Sequence, residues 1–589
     1  MKSNSSWRIR LAQVVLGVAI VVALTMVHRT SAGDEPVHLV TDWSHHHLIF
    51  SAPHDFMDAL RLSRDPRYIQ QWIRRNVERK DDDSWRWRRA PEGDDTLQSD
   101  WSMNMSNTFV GMAGTYPAKF SFNAGVANCV TPAPSAGQQP DFIAYNTSGI
   151  ASTAQASIIA YANLYATTCS GTVPNTYWAY NTLGQIFGSI ALSADGTQVA
   201  FVQVLNYDGN ASLTLLKWAA GGGGTASAPT TPTSVTNVNY RTCTAPCMTN
   251  IELNVAGVDA CATSVSFSSP FYDFSGSDTM YLGDDDGILH QYTGVFNGTP
   301  AEELNNGWPS QVSPDGELTS PVYVAGGTPA TSYTYVGDTS GFFYRVSQTN
   351  ATTVTAVQSG SLGTGIVDGP VVDSVTGNEY VFVGGNTATG PNKRIQVVQF
   401  GSTFASGSTG AAFSVSSTST RFAGSFYAGT FDNTYYTSVT GTGNMYACGT
   451  NAGKTALWRI PVTAGVIGTP VASLTLSTSN PGCSPITENY TGTIDRIFVS
   501  VTNAAITGAP INCPTTGGCL MSFNVTTGSP TATSAHATEA NGTTGIIVDG
   551  SSGSTGASQV YFIPLNTQTC TTSGTSGSCA IQASQSGLM

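Results

Sequence analysis

The chain has 589 residues, of which only 10% are charged and 40% hydrophobic, with 62 glycines; it is too apolar to be a disordered polar chain and long enough for several domains. Its net charge of −13 is unevenly placed: residues 1–100 hold 14 Lys+Arg and 14 Asp+Glu, which leaves residues 101–589 with 10 of the 24 basic and 23 of the 37 acidic residues. So acidic and Lys-poor a body repels a phosphate backbone and excludes general nucleic-acid binding.

The N-terminus has the pattern of an export signal. Lys2, Arg8 and Arg10 precede the apolar run 11–27, and Thr30-Ser31-Ala32 offers small residues for cleavage before Gly33. Residues 1–32 are therefore expected to be a signal peptide. The alternative is an uncleaved membrane anchor, for which 17 apolar residues is near the lower limit. Any membrane contact would run through this segment alone. No Cys follows it closely, as a lipoprotein would require.

Residues 33–108 form a Trp-, His- and Arg-rich segment. It opens on DWSHHHLIFSAPHD, 42–55. On a strand His45 and His47 share a face and could chelate one divalent metal, with His54 or Asp55 completing the site. The competing reading is a His-rich arm that packs Trp43, Ile49 and Phe50 onto the body. Asp65-Pro66 is a helix start, and Ile69, Trp72, Ile73 and Val77 recur at helical spacing with Arg67, Arg74, Arg75 and Arg79 on the other side. This predicts one amphipathic helix over 66–79, followed by a charged linker over 79–100. Within it, Trp85-Arg86-Trp87-Arg88-Arg89 could bind an acidic partner, an anionic surface or a glycan by stacking and cation–π contacts, or dock on the protein's own acidic body.

From residue 109 to 589 the period becomes alternating, with short Val, Ile, Phe and Tyr runs broken by Gly, Asn and Asp turns, which predicts an all-β fold. A repeat recurs: a small residue, a strand, a turn, a second strand ending near Gly, a tight turn, a third strand. Its clearest copies are SPFYDFSGSDTMYLGDDDGILHQY from Ser269, SPVYVAGGTPATSYTYVGDTSGFFYRV from Ser320 and GPVVDSVTGNEYVFVGGN from Gly369. Others start at Gly188, Ser425, Ser484 and near Ile546. The starts from 269 to 484 lie 49 to 59 residues apart, a blade-sized period. The longer step from 188 to 269 contains a Gly/Ser/Thr/Pro-rich loop near 219–237. Seven copies are visible, and the segment 109–187 supplies either an eighth blade or the ring-closing strands. The predicted fold is an all-β, seven- or eight-bladed β-propeller preceded by the short N-terminal segment with its one helix.

The Ser269 and Ser320 copies resemble the repeat of pyrroloquinoline-quinone (PQQ) propellers. LSADGTQVAFV, 192–202, resembles the blade motif of TolB-type periplasmic propellers, and YPAKFSF, 116–122, is similar to stretches of uncharacterised exported bacterial proteins. The resemblance implies the fold. The quinone chemistry does not carry over: no two cysteines are adjacent and the tryptophan-docking repeat is missing. No C-x-x-C-H occurs, so no haem is attached.

Eleven cysteines fit an oxidising compartment. Candidate local pairs are Cys129–Cys169, Cys448–Cys483, Cys513–Cys519 and Cys570–Cys579, with one bridge shared among Cys243, Cys247 and Cys261; spacing leaves the connectivity open. Asp284-Asp285-Asp286-Gly287 reads as a hairpin turn rather than a calcium loop, and Ser193-Ala194-Asp195-Gly196 as a turn. Only His290 and His536 lie in the body, and neither sits beside an obvious nucleophile. The sequence therefore points to an exported scaffold that uses its central funnel or loop face to bind a protein or polysaccharide at the cell surface or in the periplasm. A metal- or quinone-dependent enzyme and a component of a surface assembly are the alternatives.

Overall fold

The computed structural model describes residues 39–40, 47–76, 97–106, 110–122, 127–129, 139–166, 168–206, 210–221, 223–253, 266–314, 316–326, 328–350, 352–363, 365–384, 395–417, 425–490, 492, 494–509, 511–530, 536–550 and 559–585. They form eight antiparallel sheets, the blades of a β-propeller. The first strands of blades 1 to 8 are Ala118–Ser121, Ala191–Leu192, Phe271–Asp273, Val322–Val324, Val371–Asp373, Thr430–Phe431, Thr487–Tyr490 and Ile547–Asp549. Those of blades 1 and 2, 3 and 4, 6 and 7, and 7 and 8 touch, so first strands stand next to the axis.

All seven sequence repeats become blades, 2 to 8, and the segment 109–187 supplies a whole blade, the first. The ring is closed elsewhere. Leu97–Ser106 pairs antiparallel with Thr575–Gln585, from Leu97↔Gln585 to Ser106↔Ser578, as the outermost strand of blade 8. Its first four residues lie in the stretch expected to be a linker.

The small residue at each repeat start has a steric cause. There the backbones of adjacent blades nearly touch: a Cβ at Gly188 would lie 2.9 Å from the Ser268 carbonyl, and one at Gly369 2.8 Å from the Ser320 carbonyl. Serine at this level links blades. Ser189 accepts the Tyr116 N–H at 3.0 Å, Ser269 that of Ser189 at 2.9 Å, and Ser320 that of Ser269 at 2.9 Å.

The core lies between blades. Strands such as Phe142–Asn146 and Ile158–Ala162 are buried throughout because each blade is covered on both faces, which is why they read as continuous apolar runs. Aromatic rings fill the gaps: Phe142 meets Trp218 of blade 2 edge-on at 5.2 Å. The described residues contain five disulfides, Cys129–Cys169, Cys243–Cys247, Cys448–Cys483, Cys513–Cys519 and Cys570–Cys579. Cys261 lies outside them. Much of the 219–237 insertion is tied down: Ala179 donates to the Gly223 carbonyl and Asn181 to that of Thr230, both at 2.9 Å.

Candidate functional site

The axial channel, where propellers hold small ligands, is occupied by the chain's own N-terminal arm. Leu48–Ile49 pairs in parallel with Val371–Asp373 of blade 5, on the side away from that blade's second strand and so facing the channel. Leu39–Val40 pairs antiparallel with the first strand of blade 1, again on its channel side. The arm continues into two helices, α1 (Phe56–Leu62) and α2 (Pro66–Asn76).

Asp55 caps α1, accepting the Asp58 N–H at 2.9 Å, and Asp65 accepts the Arg67 N–H at 2.9 Å at the start of α2. Leu48, Phe50, Leu62 and Tyr68 are buried together with Phe271, Val322 and Val372, first-strand residues of blades 3, 4 and 5.

Three arginines of α2 reach blades 3, 6, 7 and 8. Arg67 is bidentate to Asp65, at 2.9 and 2.6 Å, lies 4.7 Å from the Phe271 ring and 5.1 Å from that of Phe274, and donates to the Tyr272 carbonyl of blade 3 at 3.4 Å. Arg74 donates to the Val548 carbonyl of blade 8. Arg75 forks onto Glu488 of blade 7 at 2.9 and 2.7 Å, donates to Asn433 of blade 6 at 2.8 Å, and lies 4.0 Å from the Tyr436 ring. Burial disfavours its charge, and Glu488 more than compensates, so its pKa is raised. Asp495, beside Glu488, is pushed well above the carboxylate range by burial and then by the Glu488 charge.

The helix expected over 66–79 is thus present through Asn76, with its polarity reversed. The arginine side faces protein, Arg67 and Arg74 being buried, while Ile69, Trp72 and Ile73 are only half-buried. At the channel mouth the Tyr272 and Val548 carbonyls, the Asn433 amide oxygen and the Glu488 carboxylate accept these arginines, acceptors that suit guanidinium groups rather than alkyl side chains. No sequence signal distinguishes such a face from a solvated one. The helix α1 went unread, although Asp55 before a seven-residue apolar-periodic stretch was its signal.

The residues considered as metal ligands have separate surroundings. The buried His47 imidazole places Nε2 3.2 Å from Asp368 Oδ1, His54 is exposed, Asp55 serves as the α1 cap, and His45 lies outside the described residues. Among the described residues no cluster of three or more His, Cys, Asp or Glu is placed to hold a metal ion. The run Trp85, Arg86, Trp87, Arg88 and Arg89 also lies outside them.

In blade 3 the buried His290 is gripped between two carboxylates, Nδ1 2.6 Å from Glu302 Oε1 and Nε2 3.1 Å from Asp284 Oδ2. Asp284 Oδ1 accepts the N–H groups of Asp286 and Ile288, the hairpin turn read from Asp284-Asp285-Asp286-Gly287. Asp338 repeats the arrangement in blade 4, accepting the Phe342 N–H at 2.8 Å. These acids hold turns. The half-buried Asp285 is pushed up to about 7 by burial, then by Glu317 and its acidic neighbours.

No known protein family matches the sequence, and no curated protein matches it. Solved structures resemble it in fold. The Dos1 propeller is 8% identical, with 83% of this chain and 95% of that chain covered and a TM-score of 0.41. Chaetomium thermophilum Sqt1 bound to the N-terminus of ribosomal protein L10 is 10% identical, covering 61% and 77%, with a TM-score of 0.36. The periplasmic gluconolactonase PpgL of Pseudomonas aeruginosa is 12% identical, covering 66% and 98%, with a TM-score of 0.32. Function must therefore be argued from the site. The chain is an all-β, eight-bladed β-propeller.

Proposed function

We propose that this protein is an exported β-propeller that binds a protein or polysaccharide at the cell surface or in the periplasm, working through its loop faces. One observation carries the reading. The arm spanning residues 47–76 engages first-strand residues or adjoining loops of blades 3 to 8, so the channel mouth that a small substrate would enter is filled by the chain itself. A module of this kind presents a rigid ring whose turns are free to meet a large ligand. The five disulfides suit an oxidising compartment and support export of the chain, as does the apolar run behind Lys2, Arg8 and Arg10.

The test is metal analysis and an absorption spectrum on protein purified from the exported fraction, followed by co-sedimentation with insoluble cell-wall polysaccharide. The expected protein is colourless, holds no stoichiometric metal and sediments with the polysaccharide or with a partner protein. A visible chromophore, or about one equivalent of metal lost on replacing His45 and His47 by Ala, would overturn the reading in favour of a metal- or quinone-dependent enzyme. Sedimentation of the protein with itself alone would mark a structural component of a surface assembly.

A further inference from the structure

Between blades 3 and 4 lies a cavity of about 340 Å³, a size typical of small-ligand sites. Its rim is formed by Ser275 and Ser277 in blade 3 and by Thr328 and Pro329 in blade 4, all exposed and all in the turns that join the first and second strands. The cavity therefore opens at the end of the ring that carries the arm helices, since Arg67 lies over Phe274 next to Ser275.

Its deeper wall is aromatic. Tyr281 and Tyr323 stack at 4.8 Å with 17° between their planes, and Trp308 lies 5.9 Å from Tyr281. Gln291 Nε2 donates to the Tyr281 hydroxyl at 3.0 Å. The Trp308 indole N–H is buried and finds no acceptor among the described residues, an uncommon state for a buried donor.

The rest of the lining is chiefly amide and hydroxyl: Gln291, Ser332, Thr334, Ser347 and Gln348. Among the described residues its one charged member is Asp273, whose carboxylate already accepts the Ser275 N–H and hydroxyl, both at 2.8 Å, and the Ser277 hydroxyl at 2.6 Å. No Lys, Arg or His among the described residues lines the cavity.

These features select a ligand class. An anion would find no counter-charge, and a cation would find its only carboxylate engaged. An apolar ligand would strand several hydroxyls and amides out of water without a partner, which opposes binding. A molecule with an apolar ring face and neutral hydroxyls at its edge satisfies both the aromatic wall and the amide–hydroxyl lining. We propose that the cavity between blades 3 and 4 is a subsite for a neutral sugar residue. This rests on the binding function proposed above and specifies its polysaccharide branch.

The experiment uses the full chain and five soluble probes: cellotetraose, xylotetraose, mannotetraose, maltotetraose and, as an anionic control, tetragalacturonate. Binding is read by calorimetry and by saturation-transfer NMR, in the wild type and in Tyr323→Ala and Gln348→Ala, both at partly exposed positions where truncation spares the fold. At least one neutral probe is expected to bind with Kd below about 1 mM, each variant to weaken it about tenfold or more, and tetragalacturonate not to bind. A neutral probe that binds wild type and both variants alike would place sugar recognition elsewhere on the loop faces, overturning the subsite and leaving the wider function intact. No binding of any neutral probe, or equal binding of tetragalacturonate, would overturn the subsite. If the wild type in addition fails to sediment with polysaccharide or partner protein, the wider function falls too.

Discussion

Replacing Lys119 by Met is expected to cost the protein about 3–5 kcal/mol, a large share of the stability of an ordinary domain. Lys119 stands on the first strand of blade 1 and is completely buried. Its ammonium donates to Asp549, on the first strand of blade 8, to Ser121 at 2.9 Å and to the Tyr165 hydroxyl at 3.0 Å. The Tyr165 and Tyr561 rings lie 5.4 and 5.9 Å away. The pair joins the first and last blades at the seam where the ring closes. Asp141, in hydrogen-bond contact with Tyr165, is pushed up to about 6, with burial raising it and Lys119 pulling it down. Without the ammonium two buried carboxylates would face one another across the seam. Guanidinium unfolding should show the loss, and Lys119→Met combined with Asp549→Leu should recover part of it, because the uncompensated charge goes too. A loss below about 1 kcal/mol for the single variant would mean that the seam does not depend on this pair.

The second large effect is a fall in stability as pH rises. Burial pushes Glu379 and Glu539 each up to about 8, and raises Asp141 and Asp495 as well. An acid whose folded pKa exceeds its unfolded value binds more protons in the folded state. Its burial costs nothing near pH 4, and the cost grows as pH climbs toward the folded value. His290 adds to this trend. Burial opposes its charge, but Asp284 and Glu302 outweigh it and raise the pKa, so its contribution is present at low pH and is lost as pH rises through that value. The net charge of −13 acts in the same direction, since self-repulsion falls as acids protonate. The guanidinium midpoint should therefore be higher at pH 5 than at pH 8.5, by several kcal/mol in unfolding free energy. Glu539→Gln should flatten the slope. A midpoint that climbs toward pH 8.5 would contradict the burial of these acids.

Blades 2 to 8 were legible because each opens with a residue that the tight inter-blade approach keeps small and then alternates strand and turn. In blade 1 Tyr116 stands at the level where Ser189 and Ser269 open the next two blades, so the segment 109–187 could be read as either an eighth blade or the ring-closing strands. The true closing strand, LQSDWSMNMS over 97–106, was illegible for two reasons. Its outer position leaves Gln98 and Ser99 exposed, so it reads as polar, and its partner strand lies at the far end of the chain. Trp101 was its one aromatic marker; its indole N–H donates across the seam to the Leu164 carbonyl at 3.2 Å.

The candidate sites were less legible than the fold. A helix with arginines along one side reads as amphipathic with a wet charged face, and only the assembled ring supplies the carbonyl ends and Glu488 that receive those arginines. The sugar subsite draws Tyr281 and Tyr323 from different blades and completes its lining with Ser, Thr and Gln, residues too common in turns and strands to stand out. Spacing offered neighbouring cysteines as candidate pairs and left the connectivity open; the blade geometry joins Cys129–Cys169, Cys448–Cys483, Cys513–Cys519 and Cys570–Cys579.

Whether the arm fills the axial channel is decided by amide hydrogen exchange on the full chain, with Arg75→Ala measured alongside. The Val372 and Ser374 amides donate to the His47 and Ile49 carbonyls at 2.7 and 2.9 Å, and α2 is held by Glu488, Asn433 and the Val548 carbonyl. Residues 47–76 are expected to exchange as slowly as the blades, and Arg75→Ala to speed their exchange while leaving blades 2 to 4 unchanged. Exchange of 47–76 at the rate of an unstructured chain in the wild type would contradict that expectation, and would return the axial channel to solvent.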